Sequence, residues 1–169
     1  DHPDSIDIFV EEQFTPPPFP GFDVYTIGKT YLPVSATDSY GNDVLPYISE
    51  KDDRYLSTFS SGKYQGITEM QELILDPGDC AKGNDLLLFL QGWVFPTDAS
   101  INFAISQSQD IKVMAPVLQV INEKGEWETV IDNLGFPMGK DKTVIANLSG
   151  KFLSKDRRIR IMTNMEIYW

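Results

Sequence analysis

Apolar and polar residues alternate in short runs along this chain, and Gly, Pro, Asn and Asp separate the runs. Ile6, Ile8 and Val10 alternate with Asp7, Phe9 and Glu11, a period-two pattern that predicts a half-buried strand. Short strands are expected over Asp23–Ile27 and Thr30–Ala36. Thr68–Leu75 fits a helix or a strand, and the stop at Pro77-Gly78 favours a strand ending in a turn. Leu86–Leu90 is continuously apolar, as expected of a strand covered on both faces. Ile101, Phe103 and Ile105 alternate with Asn102, Ala104 and Ser106 and predict a further strand. Val117–Ile121 and Trp127–Ile131 flank Asn122-Glu-Lys-Gly125, which reads as a hairpin with a short glycine-containing loop. Thr143–Leu148 is another strand. Ile159, Ile161, Thr163, Met165, Ile167 and Trp169 then fall on one face, opposite Arg158, Arg160, Asn164 and Glu166.

No long segment carries apolar residues at helical spacing. The recurring strands and turns predict an all-β fold, an antiparallel β-sandwich of jelly-roll-like or Ig-like type. Thr15-Pro-Pro-Pro-Phe-Pro-Gly21 has four prolines in five residues, which excludes helix and central strand and favours an extended polyproline crossover. The expected organisation is an N-terminal strand and proline-rich arm over residues 1–22, followed by a sandwich domain over 23–169. The abrupt start at Asp1-His-Pro and the strand pattern reaching Trp169 are those of a processed form or an excised module.

Composition narrows the partners. The 169 residues are 41% hydrophobic and 12% aromatic, enough for a core. The formal charge is −11, from 25 acidic and 14 basic residues, which opposes binding to phosphate backbones or anionic lipid. It favours a solvated acidic surface. No apolar run is long enough for a membrane-spanning helix. Cys80 is the single cysteine, so no internal disulfide or paired-cysteine metal site can form, and its turn-rich surroundings predict a spectator thiol. His2 is the single histidine and sits at a terminus, a poor place for a catalytic base that must be held rigidly.

Catalytic vocabulary is sparse. Gly135-Phe-Pro-Met-Gly-Lys-Asp141 differs from a phosphate loop in two ways: its glycines are too close, and Asp141 stands where Ser or Thr would bind magnesium. Glu11/Glu12, Asp52/Asp53 and Asp76/Asp79 are paired carboxylates, which a carboxylate-based hydrolase would need to oppose across a cleft. Asp38, Asn42 and Asp43 share one acidic turn, and Asp76, Asp79 and Asp85 straddle another. The first is the candidate metal site; calcium is the cation such oxygens would take, and no other cofactor is expected. Trp93, Phe95, Trp127, Tyr168 and Trp169 are candidates for a sugar-stacking platform. Trp127, beside the hairpin loop, is the first suspect as a ligand-binding ring, while Trp93 is expected in the core. Asn147-Leu-Ser149 matches a glycosylation sequon inside an expected strand.

Several segments together resemble a family. These are Asp1-His-Pro, Thr15-Pro-Pro-Pro-Phe-Pro, Leu90-Gln-Gly-Trp-Val-Phe-Pro-Thr-Asp-Ala-Ser-Ile-Asn102, Gly135-Phe-Pro-Met-Gly-Lys-Asp-Lys-Thr143 and Arg160-Ile-Met-Thr-Asn-Met-Glu-Ile-Tyr-Trp169. They resemble the C-terminal region of large bacterial FG-GAP/ASPIC-UnbV (cartilage-acidic-protein-like) proteins, in which a β-propeller precedes such a region. The resemblance implies an extracytoplasmic accessory module, periplasmic, cell-surface or secreted, without an assigned enzymatic activity. It carries over no catalytic residue. The chain lacks the propeller and its calcium loops, so the roles suggested for those blades do not transfer.

The leading expectation is a non-catalytic interaction or assembly module of a bacterial extracytoplasmic protein or complex. Its partners would be other protein subunits or domains, or a second copy, with no nucleic acid and no membrane insertion. Ile6, Ile8, Val10, Pro16, Pro17, Pro18, Ile167 and Trp169 are the expected partner-binding residues, because the terminal strands read as sheet edges that recruit neighbours. A glycan-binding module, with or without calcium, and a carboxylate-based hydrolase are the alternatives.

Overall fold

The computed structural model describes residues 7–10, 13–14, 23–50, 52–82, 86–137, 139 and 142–169. Ile6, Pro16, Pro17 and Pro18, together with His2, Glu11, Glu12 and Asp85, lie outside the described residues. In chain order the strands are β1 (Asp7–Val10), β2 (Gln13–Phe14), β3 (Val24–Ile27), β4 (Ser35–Asp38), β5 (Ile67–Asp76) and β6 (Leu87–Val94). They continue as β7 (Val117–Ile121), β8 (Trp127–Ile131), β9 (Phe136–Pro137), β10 (Lys142–Asn147), β11 (Ile159–Met165) and β12 (Ile167–Tyr168). Two short helices interrupt them, α1 (Leu45–Ile48) and α2 (Ala99–Ser106).

The architecture is an antiparallel β-sandwich, as the strand grammar predicts. One layer is a five-stranded sheet in the order β4-β5-β11-β7-β8, and the other is a three-stranded sheet in the order β10-β6-β12. The core lies between them. Leu73, Leu75, Leu118, Val120, Ile159 and Ile161 face inward from the first sheet, and Leu90, Val144, Ala146 and Ile167 from the second. The burial of β11 alternates, with Ile159, Ile161 and Thr163 buried and Arg160 and Met162 only partly so, the pleat of a strand covered on one face. Outside the three-stranded sheet lies the ribbon β1–β3, whose Phe9 ring sits 4.4 Å from Phe89 and whose Tyr25 meets Phe89 edge-on at 6.2 Å. β2 pairs with β9.

Two expectations are corrected. Residues 99–106 form a helix, not a strand. Asp98 caps it, its carboxylate accepting from the Ile101 backbone at 2.8 Å and the Ser100 hydroxyl at 2.6 Å, and this satisfies donors that a helix start leaves orphaned. Only Ile105 is buried and Phe103 is 68% exposed, so the alternation of Ile101, Phe103 and Ile105 does not mark a buried face. The run ending at Trp169 is also not a sheet edge over most of its length. β11 is a central strand, hydrogen-bonded to β5 on one side and β7 on the other.

At Glu166 the chain passes from one sheet to the other. Its backbone N–H donates to the Gly66 carbonyl at 2.9 Å, and its carbonyl accepts from the Phe95 N–H at 2.8 Å. Its buried carboxylate accepts from the Gly66 N–H at 3.2 Å and the Tyr168 hydroxyl at 2.7 Å. Gly66 holds a left-handed φ of 81°, which glycine adopts without strain. Burial first, and then the hydrogen bond to Glu166 and its charge, push the Tyr168 hydroxyl up to about 12.

Glu166→Ala leaves the Gly66 N–H and the Tyr168 hydroxyl without their acceptor. It is expected to lower unfolding free energy by about 2–3 kcal/mol, read by urea denaturation. Tyr168 ionises near 10 when unfolded and about 12 when folded. Its contribution to stability is therefore complete below the unfolded value and is lost as pH rises through the folded one. Alkaline titration of tyrosinate absorbance is expected to show the Tyr168 hydroxyl ionising late, and Glu166→Gln to bring it toward the ordinary range.

Candidate functional site: a cleft along the open edge of β6

The site begins with the length of β12. β6 is eight residues long and pairs with β10 along Leu87–Gly92, but β12 reaches only Val94 and Trp93. In an antiparallel ladder the backbone groups of successive residues point to opposite sides. The Leu148 N–H donates to the Leu86 carbonyl, so Leu86, Leu88, Leu90 and Gly92 direct their groups toward β10. The Phe95 N–H donates to the Glu166 carbonyl, so Trp93, Gln91, Phe89 and Leu87 direct theirs toward the β12 side. Among the described residues no strand lies beside Leu87–Gln91 on that side. Beyond Tyr168 the chain leaves the ladder: Trp169 turns its side chain into the core, and its carbonyl accepts from the Leu56 N–H at 2.8 Å.

A cleft of about 670 Å³ runs along this open edge. All five residues Leu87, Leu88, Phe89, Leu90 and Gln91 line it, as a strand seen edge-on must, since a strand seen face-on offers only alternate side chains. Leu73, Leu75, Ile159 and Trp169 line its core side, and Phe9 and Ile27 reach it from the outer ribbon. Residues 29–33 and 47–50 form its walls. Tyr31 and Leu32 stand at the rim 63% and 57% exposed, with exposed Tyr47 on the opposite wall and exposed Val34 next along the chain.

Charge at the mouth is largely self-neutralised. Arg54 donates to Asp52 at 2.6 Å and lies 3.9 Å from Glu50, and these hydrogen bonds from Arg54 hold the Asp52 carboxyl below its usual range. The ammonium of Lys29 lies 4.7 Å from the centre of the Tyr31 ring. One lining residue has a polar atom that is unmatched beneath the surface. The Gln91 side-chain oxygen accepts from the Thr143 hydroxyl at 2.8 Å, while its Nε2 is buried without an acceptor. Cys80 also lines the cleft; burial raises its thiol pKa, and its Sγ contacts the Pro77 carbonyl, the setting of an unreactive thiol.

The sequence-predicted residues are scattered. Ile8 and Val10 are exposed on the outer face of β1, away from Phe9. Ile167 and Trp169 are buried in the core, and of the two only Trp169 borders the cleft. Trp127 lies on the five-stranded sheet with the Arg160 guanidinium 4.7 Å from its ring centre, and Arg160 also bonds Gln119 and Glu72. Trp93 and Tyr168 stack in parallel at 4.3 Å, with Phe95 and Tyr55 against Trp93 and Phe59 against Tyr168. Trp93 is thus partly buried in an aromatic cluster rather than in the main core; of the five suspected platform rings Trp93, Phe95 and Tyr168 meet there, while Trp127 and Trp169 lie elsewhere.

Asp38, Asn42 and Asp43 do share a turn. Asp38 accepts from the Tyr40 N–H, the Asn42 N–H and the Asn42 side-chain amide, each at 2.9 Å, and Asp43 accepts from the Leu45 N–H at 3.0 Å. Burial opposes the charge on Asp38, but the hydrogen bonds prevail and hold its pKa below the usual range. Its lone pairs order the turn. Among the described residues no group of three or more His, Cys, Asp or Glu side chains is placed to hold a metal ion. Asp98 and Asp156 are held low as well, chiefly by hydrogen bonds from Ser100 and Arg158, the opposite of the raised carboxyl a general acid needs.

Gly92 is the sequence signal for this region. It sits inside an apolar strand, where an isolated glycine marks a close backbone approach. A Cβ there would collide with the Tyr168 carbonyl oxygen, and backbone cannot yield as a side chain can. Gly92→Ala is expected to push β12 off β6 and to cost about 1–3 kcal/mol in urea denaturation, with loss of the Trp93–Tyr168 signal in near-ultraviolet circular dichroism.

No protein-family model, no curated protein and no solved structure matches the chain.

Proposed function

We propose that this chain is a non-catalytic β-sandwich module that engages another polypeptide through the cleft beside β6. The observation that carries the reading is the rim. Tyr31, Leu32 and Tyr47 are large, apolar and exposed around one opening whose interior is apolar as well. Contiguous exposed apolar surface costs solubility and marks interaction sites in a protein that is otherwise strongly acidic. Aromatic side chains around a desolvated depression are the usual anchors of protein interfaces.

Two further observations support a binding role over catalysis. The carboxyls with shifted titration are all held in the charged form by hydrogen bonds, and the cleft thiol is deactivated. The acidic turn of Asp38, Asn42 and Asp43 serves as a hinge-free corner in this reading, and calcium has no part in it. The extracytoplasmic setting is proposed from the resemblance to the FG-GAP/ASPIC-UnbV C-terminal region.

Site-specific photo-crosslinking tests the reading. A photoreactive residue at Leu32 is expected to give a discrete adduct with another polypeptide in cells producing the chain, and one at Glu123, on the hairpin loop, to give none. Equal labelling at both positions, or none at Leu32, would contradict it.

A further inference from the structure

The cleft has a backbone wall, and that narrows what can fill it. Leu87, Phe89 and Gln91 present N–H and C=O groups along one line, two residues apart, facing an apolar cavity. A backbone polar group held away from both water and a partner costs free energy comparable to a lost hydrogen bond. A compact small molecule can match one such pair. Only an extended backbone carries donors and acceptors at the same repeat, about 6.8 Å for alternate residues of an antiparallel strand. The ladder between β12 and β6 also sets the register: Ile167 and Tyr168 lie opposite Val94 and Trp93, so an added antiparallel strand has its first position opposite Gln91 and its fifth opposite Leu87.

We propose that the cleft is a strand-addition site, taking five residues of an extended segment from a partner polypeptide antiparallel to β6. This rests on the reading of the chain as an interaction module and names its mode of recognition. The pleat specifies the segment. Positions opposite Leu90 and Leu88 point inward, toward Leu73, Leu75 and Ile159, and must be apolar. Positions opposite Phe89 and Leu87 lie on the side of Phe9 and Ile27 and are apolar too, so this is a strand covered on both faces. The position opposite Gln91 is different. There the Gln91 side chain is polar and hydrogen-bonded to Thr143, so a polar residue fits beside it. The segment therefore reads, from its N-terminus, one Ser, Thr or Asn followed by four apolar residues.

The test uses the intact chain and a soluble peptide, acetyl-Lys-Thr-Val-Ile-Val-Ile-Lys-amide, with amide exchange followed residue by residue. The peptide is expected to slow exchange of the Leu87, Phe89 and Gln91 amides at least tenfold and to leave Leu88 and Leu90 unchanged. The same peptide N-methylated at Thr and at both Ile, the residues opposite Gln91, Phe89 and Leu87, keeps its side chains but cannot form the ladder, and is expected to have no effect. Binding without slowed amides, or equal binding of the N-methylated peptide, overturns the proposal. So does dodecanoate displacing the peptide while those amides stay fast, which would make the cleft a small-molecule site. Protection that appears on concentrating the chain alone would assign the edge to a second copy and also overturn it. If the Leu32 crosslink forms while the peptide leaves the amides fast, the interaction role stands and strand addition fails.

Discussion

Between β11 and β12 the chain crosses from one sheet to the other through a single residue that belongs to neither. Glu166 lies between β11, the centre of the five-stranded sheet, and β12, the margin of the three-stranded one, and it is held by backbone bonds to Gly66 and Phe95. Its carboxylate closes the corner by accepting from Gly66 and Tyr168. A buried carboxylate without donors would be costly; with two it becomes a geometric clamp. The clamp fixes where the chain enters the second sheet and hence which residues of β6 gain a partner. Trp93 and Val94 do, and Leu87–Gln91 do not.

The cleft follows from that placement. Gly92 lets the Tyr168 carbonyl approach closely, the Trp169 side chain goes into the core, and the ladder stops. What remains is half a strand with β10 on one edge, a second sheet on its inner face, an aromatic ribbon on its outer face and, among the described residues, no strand on its other edge. Edge strands are usually blunted by charge, proline or twist. This stretch of β6 carries no charge and no proline and is apolar throughout except Gln91. It is instead sheltered within a cleft whose charges pair with one another at the mouth. Sheltering keeps such an edge from random association while leaving it open to a segment of the right shape.

The layers were legible in the chain because most strands have one buried face. Val117–Ile121 and Trp127–Ile131 pair as the short loop between them requires, and Thr143–Leu148 matches β10 within a residue at each end. α2 was not legible, because a helix that buries one side chain has no apolar stripe; Asp98 and the Ser two residues later were the available sign. That β11 is central could not be read either, since centrality depends on which strands flank it, and an alternating strand looks the same at an edge. Trp127 was suspected from its place beside a loop, but the ring is covered by Arg160, which arrives from a strand 33 positions later in the chain (160 minus 127). The cleft was the least accessible feature of all. It arises where a strand is short, and only Gly92 marked the spot.

The central claim is that β6 is paired on one side only from Leu87 to Gln91, and amide hydrogen exchange of the free chain, resolved by residue, tests it most directly. The account predicts alternation within one strand: slow exchange at Leu88, Leu90 and Gly92, fast exchange at Leu87, Phe89 and Gln91, and slow exchange again at Phe95, which donates to Glu166. Uniformly slow exchange from Leu87 to Gln91 would contradict it, because those amides would already have partners and the cleft would have no open backbone wall.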